Sequence, residues 1–92
     1  MNKINCLIIE GEVVESNGNS IILAYERKTK DAIFVYYFQI QYNAETLGLK
    51  VGHQIRVVGR LQQDIINDEV VIVAEHIEIL NKGVVKNTIP NE

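Results

Sequence analysis

Apolar residues at every second position run through this chain in five separate stretches, each closed by a turn signal. A period of two sends successive side chains to opposite faces of a sheet, so such stretches are strands. Leu7, Ile9, Gly11 and Val13 alternate with Ile8, Glu10 and Glu12, which predicts a first strand over residues 4–15. Ser16-Asn17-Gly18-Asn19 is a turn, because Asn and Gly tolerate positive φ. Ser20 to Arg27 is a second strand, with Ile21, Leu23 and Tyr25 on one face. The polar link Lys28-Thr29-Lys30-Asp31 leads to a third strand, Ala32 to Tyr42, rich in aromatics. At Asn43 the β-branched residues stop. Asn43 can cap a short helical turn over Ala44, Glu45, Thr46 and Leu47, which Val51-Gly52 ends. Gln54 to Ile66 is a fourth strand, Asn67-Asp68 a two-residue hairpin turn, and Glu69 to Leu80 a fifth strand.

Three strands, a short helix and a β-hairpin make an all-β chain. Strands this short leave exposed edges unless the sheet closes on itself. The expected class is a five-stranded OB-fold barrel with a short helix between strands 3 and 4; a small sandwich and an SH3-like barrel are the alternatives. The expected domain is 1–80, with 81–92 a flexible C-terminal tail that lacks periodicity and carries Pro90. No apolar run nears the roughly 18–20 residues of a membrane span. Met1 to Asn5 lacks the pattern of a signal peptide, and a lone Cys6 cannot form an internal disulfide. The expected location is the cytoplasm.

The chain resembles the bacterial single-stranded DNA-binding protein family and its relative, the primosomal replication protein B. Asn5-Cys6-Leu7-Ile8-Ile9-Glu10-Gly11-Glu12-Val13 fits the family's first-strand pattern. Val51-Gly52-His53-Gln54-Ile55-Arg56-Val57-Val58-Gly59-Arg60-Leu61 fits its Gly-x-x-Val-x-Val-x-Gly-x-Leu fourth strand, and Val71 to Leu80 its last strand. The resemblance implies an OB fold that coats exposed single strands without sequence preference, as a homodimer or homotetramer, in replication, recombination and repair. The chain departs from the family in having no Trp, in carrying Gln62 and Asp64 where basic residues are usual, and in ending Thr88-Ile89-Pro90-Asn91-Glu92 without a final Phe.

Sequence-independent binding of a single strand needs a cationic path for phosphates and flat π-surfaces for bases. The net charge of −3 is unevenly spread. From Arg27 to Arg60 six basic residues face two acidic ones; elsewhere three face ten. A locally positive centre can attract phosphate whatever the total. Residues 33–42 hold five of the six aromatics and follow directly on Arg27, Lys28 and Lys30. The expected nucleic-acid contacts are therefore Arg27, Lys28, Lys30, Tyr36, Tyr37, Tyr42, Lys50 and Arg60. Periodicity puts Phe34, Tyr36, Phe38, Ile40 and Tyr42 on the core face and Tyr37 outward. Alignment to the family puts Tyr36 and Tyr42 at stacking positions, and a β-bulge in strand 3 would reconcile the two. The basic residues could equally form a solvated loop, and Arg56 a subunit contact.

His53 and His76 lack partners at metal-ligand spacing, and no phosphate loop or nucleophile elbow occurs. The expectation is no enzyme, no metal and no cofactor. Cys6 and Ile8, outward on the first strand, suggest pairing with a second copy. A rival reading from another class is an OB-fold interaction module, docking on a replication protein or a paralogue with little DNA affinity; the acidic total and the missing tail favour it.

Overall fold

The alternating apolar faces close on one another as a barrel. The structure, a computed structural model, describes residues 5–81. Strands β1 (Leu7–Ser16), β2 (Ser20–Lys28) and β3 (Ile33–Gln41) precede helix α1 (Ala44–Leu47), and β4 (Gln54–Asp64) and β5 (Glu69–Asn81) follow it. They form a closed barrel in the order β1-β2-β3-β5-β4. Val13, Ile21, Leu23, Ile40, Ile55 and Val57 fill its centre and are fully buried. Each comes from the inward parity of its strand, so the core is the set that a period of two selects.

Helix α1 lies at the end of the barrel where β3 finishes. The Asn43 side chain accepts from the Thr46 N–H at 3.3 Å, and Gly48 closes the turn at φ 73°. Both ends are thus capped by residues suited to those positions. The helix buries Ala44, and Leu49 beyond it joins the core.

Strand β1 serves two partners. Leu7–Glu12 pairs with β4, Glu12–Ser16 pairs with β2, and the ladder to β2 shifts register between Val13 and Glu15. The strand curls at Gly11, where a Cβ would run into the Ala24 carbonyl. At Gly59 a Cβ would lie 2.5 Å from the Val73 oxygen. The missing side chains let strands cross where a small barrel bends most.

Strand boundaries differ modestly from the sequence expectation, with one instructive exception. β4 stops at Asp64, and its turn is the four residues Ile65–Asp68 rather than Asn67-Asp68 alone. The Asp64 carboxylate accepts from the Ile66 N–H at 3.1 Å, the Asn67 N–H at 3.3 Å and the Asn67 side-chain amide at 2.7 Å. Asp68 then takes φ 52°. An aspartate that organises the backbone two and three residues on replaces the shorter turn. Of the expected tail, Asn81 is the last residue of β5, and 82–92 lie outside the described residues.

Candidate nucleic-acid interface

The long β2–β3 hairpin overruns the barrel. Its ladder is unbroken from Ser20 opposite Gln41 to Lys28 opposite Ile33. Strand β3 contains no bulge; the irregularities fall in β1 and between β4 and β5. Tyr36 and Tyr42 therefore share one parity with Phe34, Phe38 and Ile40, and the expected reconciliation by a β3 bulge is corrected.

A simpler geometry resolves the conflict. β3 pairs in parallel with β5 only at Ile40–Ile72 and Gln41–Val73. Below that point the inward face is core. Beyond it the same face emerges into solvent, because no strand continues opposite. Ile40 is fully buried, Phe38 half-buried, Tyr36 43% exposed and Phe34 41% exposed. The cross-strand partners complete a platform. Tyr25 stacks on Tyr36 with centroids 6.2 Å apart and planes 26° from parallel. Tyr25 also meets Phe38 at 6.5 Å, tilted by 53°. The Arg27 guanidinium lies 5.3 Å from the Phe34 ring centroid, within cation–π range.

The expected contacts thus fall into separate groups. Arg27, Lys28 and Lys30 cluster at the hairpin tip, which a Thr29–Ala32 backbone bond of 2.8 Å closes. All three are exposed, and Lys28 sits 3.9 Å from Glu26 on the outer side. Tyr36 joins them through the platform. Tyr25 and Phe34 belong there too and are absent from the sequence expectation. Their signal was the register: a hairpin closing at Lys28–Ile33 puts Tyr25 opposite Tyr36 and Arg27 opposite Phe34.

Tyr37, 66% exposed, points to the outer face. There it borders a cleft shared with Glu10, Glu12 and Glu26. It also borders a second cleft, where β3 and β5 diverge, facing Asp64 and Glu69. Tyr42 is half-buried against the core, and its N–H donates to the Asn19 carbonyl at 3.1 Å. It lies six positions beyond Tyr36, about 20 Å along an extended chain. Lys50 lies beyond α1 at that same far end, its N–H donating to His53 Nδ1 at 3.2 Å. Arg60 is on the outer face of β4, with Nε 3.1 Å from Glu75 and Nη1 donating to Gln62 at 2.9 Å. The structure does not bring Tyr42, Lys50 or Arg60 to the platform.

Arg56 is held by two carboxylates, Glu10 at 2.6 Å and Glu78 at 2.9 Å. The Glu10 hydrogen bond and charge lead in raising its pKa above the ordinary guanidinium value. Its charge is matched on the barrel's outer face. Among the described residues no cluster of His, Cys, Asp and Glu has metal-site geometry, and no helix is long and apolar enough to cross a membrane.

No family model matches the sequence, and no curated protein matches it either. Solved structures do match the fold. The mitochondrial single-stranded DNA-binding protein Rim1 of S. cerevisiae superposes with a TM-score of 0.66 at 13% identity, over 89% of this chain and 100% of that one. The dimeric N-terminal domain of PriB from Thermoanaerobacter tencongensis gives 0.60 at 20% identity, over 85% and 98%. A chain of the S. pombe Stn1–Ten1 complex gives 0.50 at 15% identity, over 86% and 60%. The all-β closed barrel with its short helix between β3 and β4 is the OB fold of these proteins.

Proposed function

We propose that the chain binds single-stranded DNA without sequence preference on the β2–β3 platform, in replication, recombination or repair. Bases stack on Tyr36, with Tyr25 and Phe34 extending the surface, while Arg27, Lys28 and Lys30 hold the backbone. The observation that carries this reading is the emergence of one strand face from core into solvent as aromatic rings beside an arginine. Every base has a π-face, so stacking of this kind tolerates any sequence, and each stacked base contributes roughly 1–3 kcal/mol. The single-stranded DNA-binding protein among the structural neighbours supports the assignment.

Two copies pair through β1 in this reading. The ladder to β2 begins at Glu12, so Leu7–Glu10 is paired on its β4 side only among the described residues. Ile8, 64% exposed, and Cys6 stand outward there. A half-open strand with outward apolar side chains is suited to pairing with its own copy, and the PriB neighbour is itself a dimer.

The second reading, a docking module with little DNA affinity, draws on the outer surface. Tyr37 lies among carboxylates on both sides, Glu10, Glu12 and Glu26 in one cleft and Asp64 and Glu69 in the other. Titration with oligo(dT), followed by tyrosine emission at low and high salt, separates the two. Quenching that weakens as salt rises is the expected result. A flat titration at low salt would hand the assignment to the docking module.

A further inference from the structure

The β4–β5 hairpin ends in a feature that the proposed DNA contact leaves unused. Ile65 and Ile66 are 85% and 93% exposed at its tip. Two adjacent isoleucines almost fully in water on a fixed turn need an occupant, since each would gain by burial. The turn is preorganised by the Asp64 bonds to the Ile66 and Asn67 amides. It is also acidic: Asp64, Asp68 and Glu69 flank the pair, with no Lys or Arg between Leu61 and Asn81. An acidic apolar finger repels phosphate, which disfavours DNA as its partner.

The same chain carries the complementary surface. The β2–β3 platform is apolar and basic, built of the exposed Phe34 and Tyr36 and the half-buried Tyr25 beside Arg27 and Lys30. We infer that the Ile65–Ile66 finger of one copy docks on the β2–β3 platform of a second copy. Ile65 and Ile66 cover the rings, and Asp68 and Glu69 meet Arg27 and Lys30. The contact is heterologous, joining two different patches, so it leaves a free finger and a free platform at the ends and propagates. It is separate from pairing through β1. It occupies the surface proposed for bases, so single-stranded DNA and a neighbouring finger exclude one another.

Sedimentation velocity of the full chain, over a wide concentration range without DNA, tests the contact. The expected result is association beyond the β1-paired state that weakens with salt. Ile65→Ser with Ile66→Ser, and separately Arg27→Glu with Lys30→Glu, each shift it to concentrations at least about tenfold higher. Mixing the two variants restores association, because one retains its platform and the other its finger. A charge swap supplies a second route: Asp68→Lys with Glu69→Lys abolishes association alone and regains it with Arg27→Glu/Lys30→Glu. Oligo(dT) disperses the wild-type assembly. No association in the wild type overturns the inference. So does loss in the finger variant with association unchanged in the platform variant, which marks a finger-to-finger contact; so do a mixture of the two variants that fails to associate and an unchanged mass in both variants. Because association is read without DNA, it stands or falls apart from DNA binding.

Discussion

Tyr25 and Tyr36 lie opposite each other across the β2–β3 ladder, ring centroids 6.2 Å apart and planes inclined by 26°. Each ring holds its neighbour flat where the hairpin has left the barrel and no third strand supports it. A base added to this stack meets a surface already ordered, which lowers the entropy lost on binding.

Removing either ring therefore disturbs both. Tyr25→Ala and Tyr36→Ala are each expected to weaken oligo(dT) binding by about 1–3 kcal/mol. The double variant loses less than the two single losses together, since the remaining ring is already unsupported in each single variant. A double-mutant cycle by calorimetry measures the coupling. Full additivity would mean that the rings act separately.

Much of the barrel could be read directly, because alternation fixes both strand identity and inward parity. Val13, Ile21, Leu23, Ile55 and Val57 all fall where a period of two puts core residues. The platform was harder to see. Tyr36 and Tyr42 share a face, yet one stands 43% exposed beyond the barrel and the other packs against the core. Parity tells which way a side chain points; it does not tell where the opposing strand ends. That end is set by the short Ile40–Ile72 register between strands distant in sequence. The turn at Ile65–Asp68 escaped for a local reason, since Asp64 reads equally well as an outward strand residue or as a turn organiser.

The two faces of β3 make opposite predictions at neighbouring residues. Tyr36 lies on the platform, and Tyr37 lies outward beside Glu10, Glu12 and Glu26. Tyr37→Ala is expected to leave oligo(dT) affinity within about 0.5 kcal/mol of wild type, as surface substitutions usually do. A loss for Tyr37→Ala equal to that of Tyr36→Ala would move the binding face to the outside of the barrel.

Phosphate contacts reveal themselves through salt. Each contact to a single strand contributes about 0.7 to the slope of log K against log salt. Replacing Arg27, Lys28 and Lys30 together by Gln is expected to flatten that slope by about 2. Replacing Lys50 and Arg60 by Gln leaves the slope unchanged, because Lys50 lies at the far end of the barrel and Arg60 is paired with Glu75 on the other face. The slopes come from titrations at four or five salt concentrations.

Barrel closure rests on backbone crossings as much as on side-chain packing. A Cβ at Gly59 would sit 2.5 Å from the Val73 oxygen and 3.3 Å from the Ala74 Cα. Neither atom can move without opening the β4–β5 ladder. Gly59→Ala is expected to cost about 1–3 kcal/mol, the usual range for overpacking, read as a lower urea midpoint with an unchanged m-value.

The tip of the β4–β5 hairpin should respond to acid through the Asp64 carboxyl. Hydrogen bonds from the Asn67 side chain and then the Asn67 amide lead in holding the Asp64 pKa below the usual aspartate value; desolvation opposes them, and the Ile66 amide adds a still smaller lowering. A carboxyl depressed in the folded state stabilises the fold above its unfolded pKa, and that contribution is lost as pH falls through the folded value. The turn is therefore intact at neutral pH and loosens only when pH drops below the ordinary carboxylate range, near about 3.9 for Asp. The Ile66 and Asn67 amide resonances should move together with the Asp64 carboxyl signal, with a midpoint below the ordinary aspartate value. In Asp64→Ala both amide resonances should already lie at their acid-limit positions at neutral pH. A midpoint at or above the ordinary aspartate value would show that the carboxylate does not organise the Ile65–Ile66 tip.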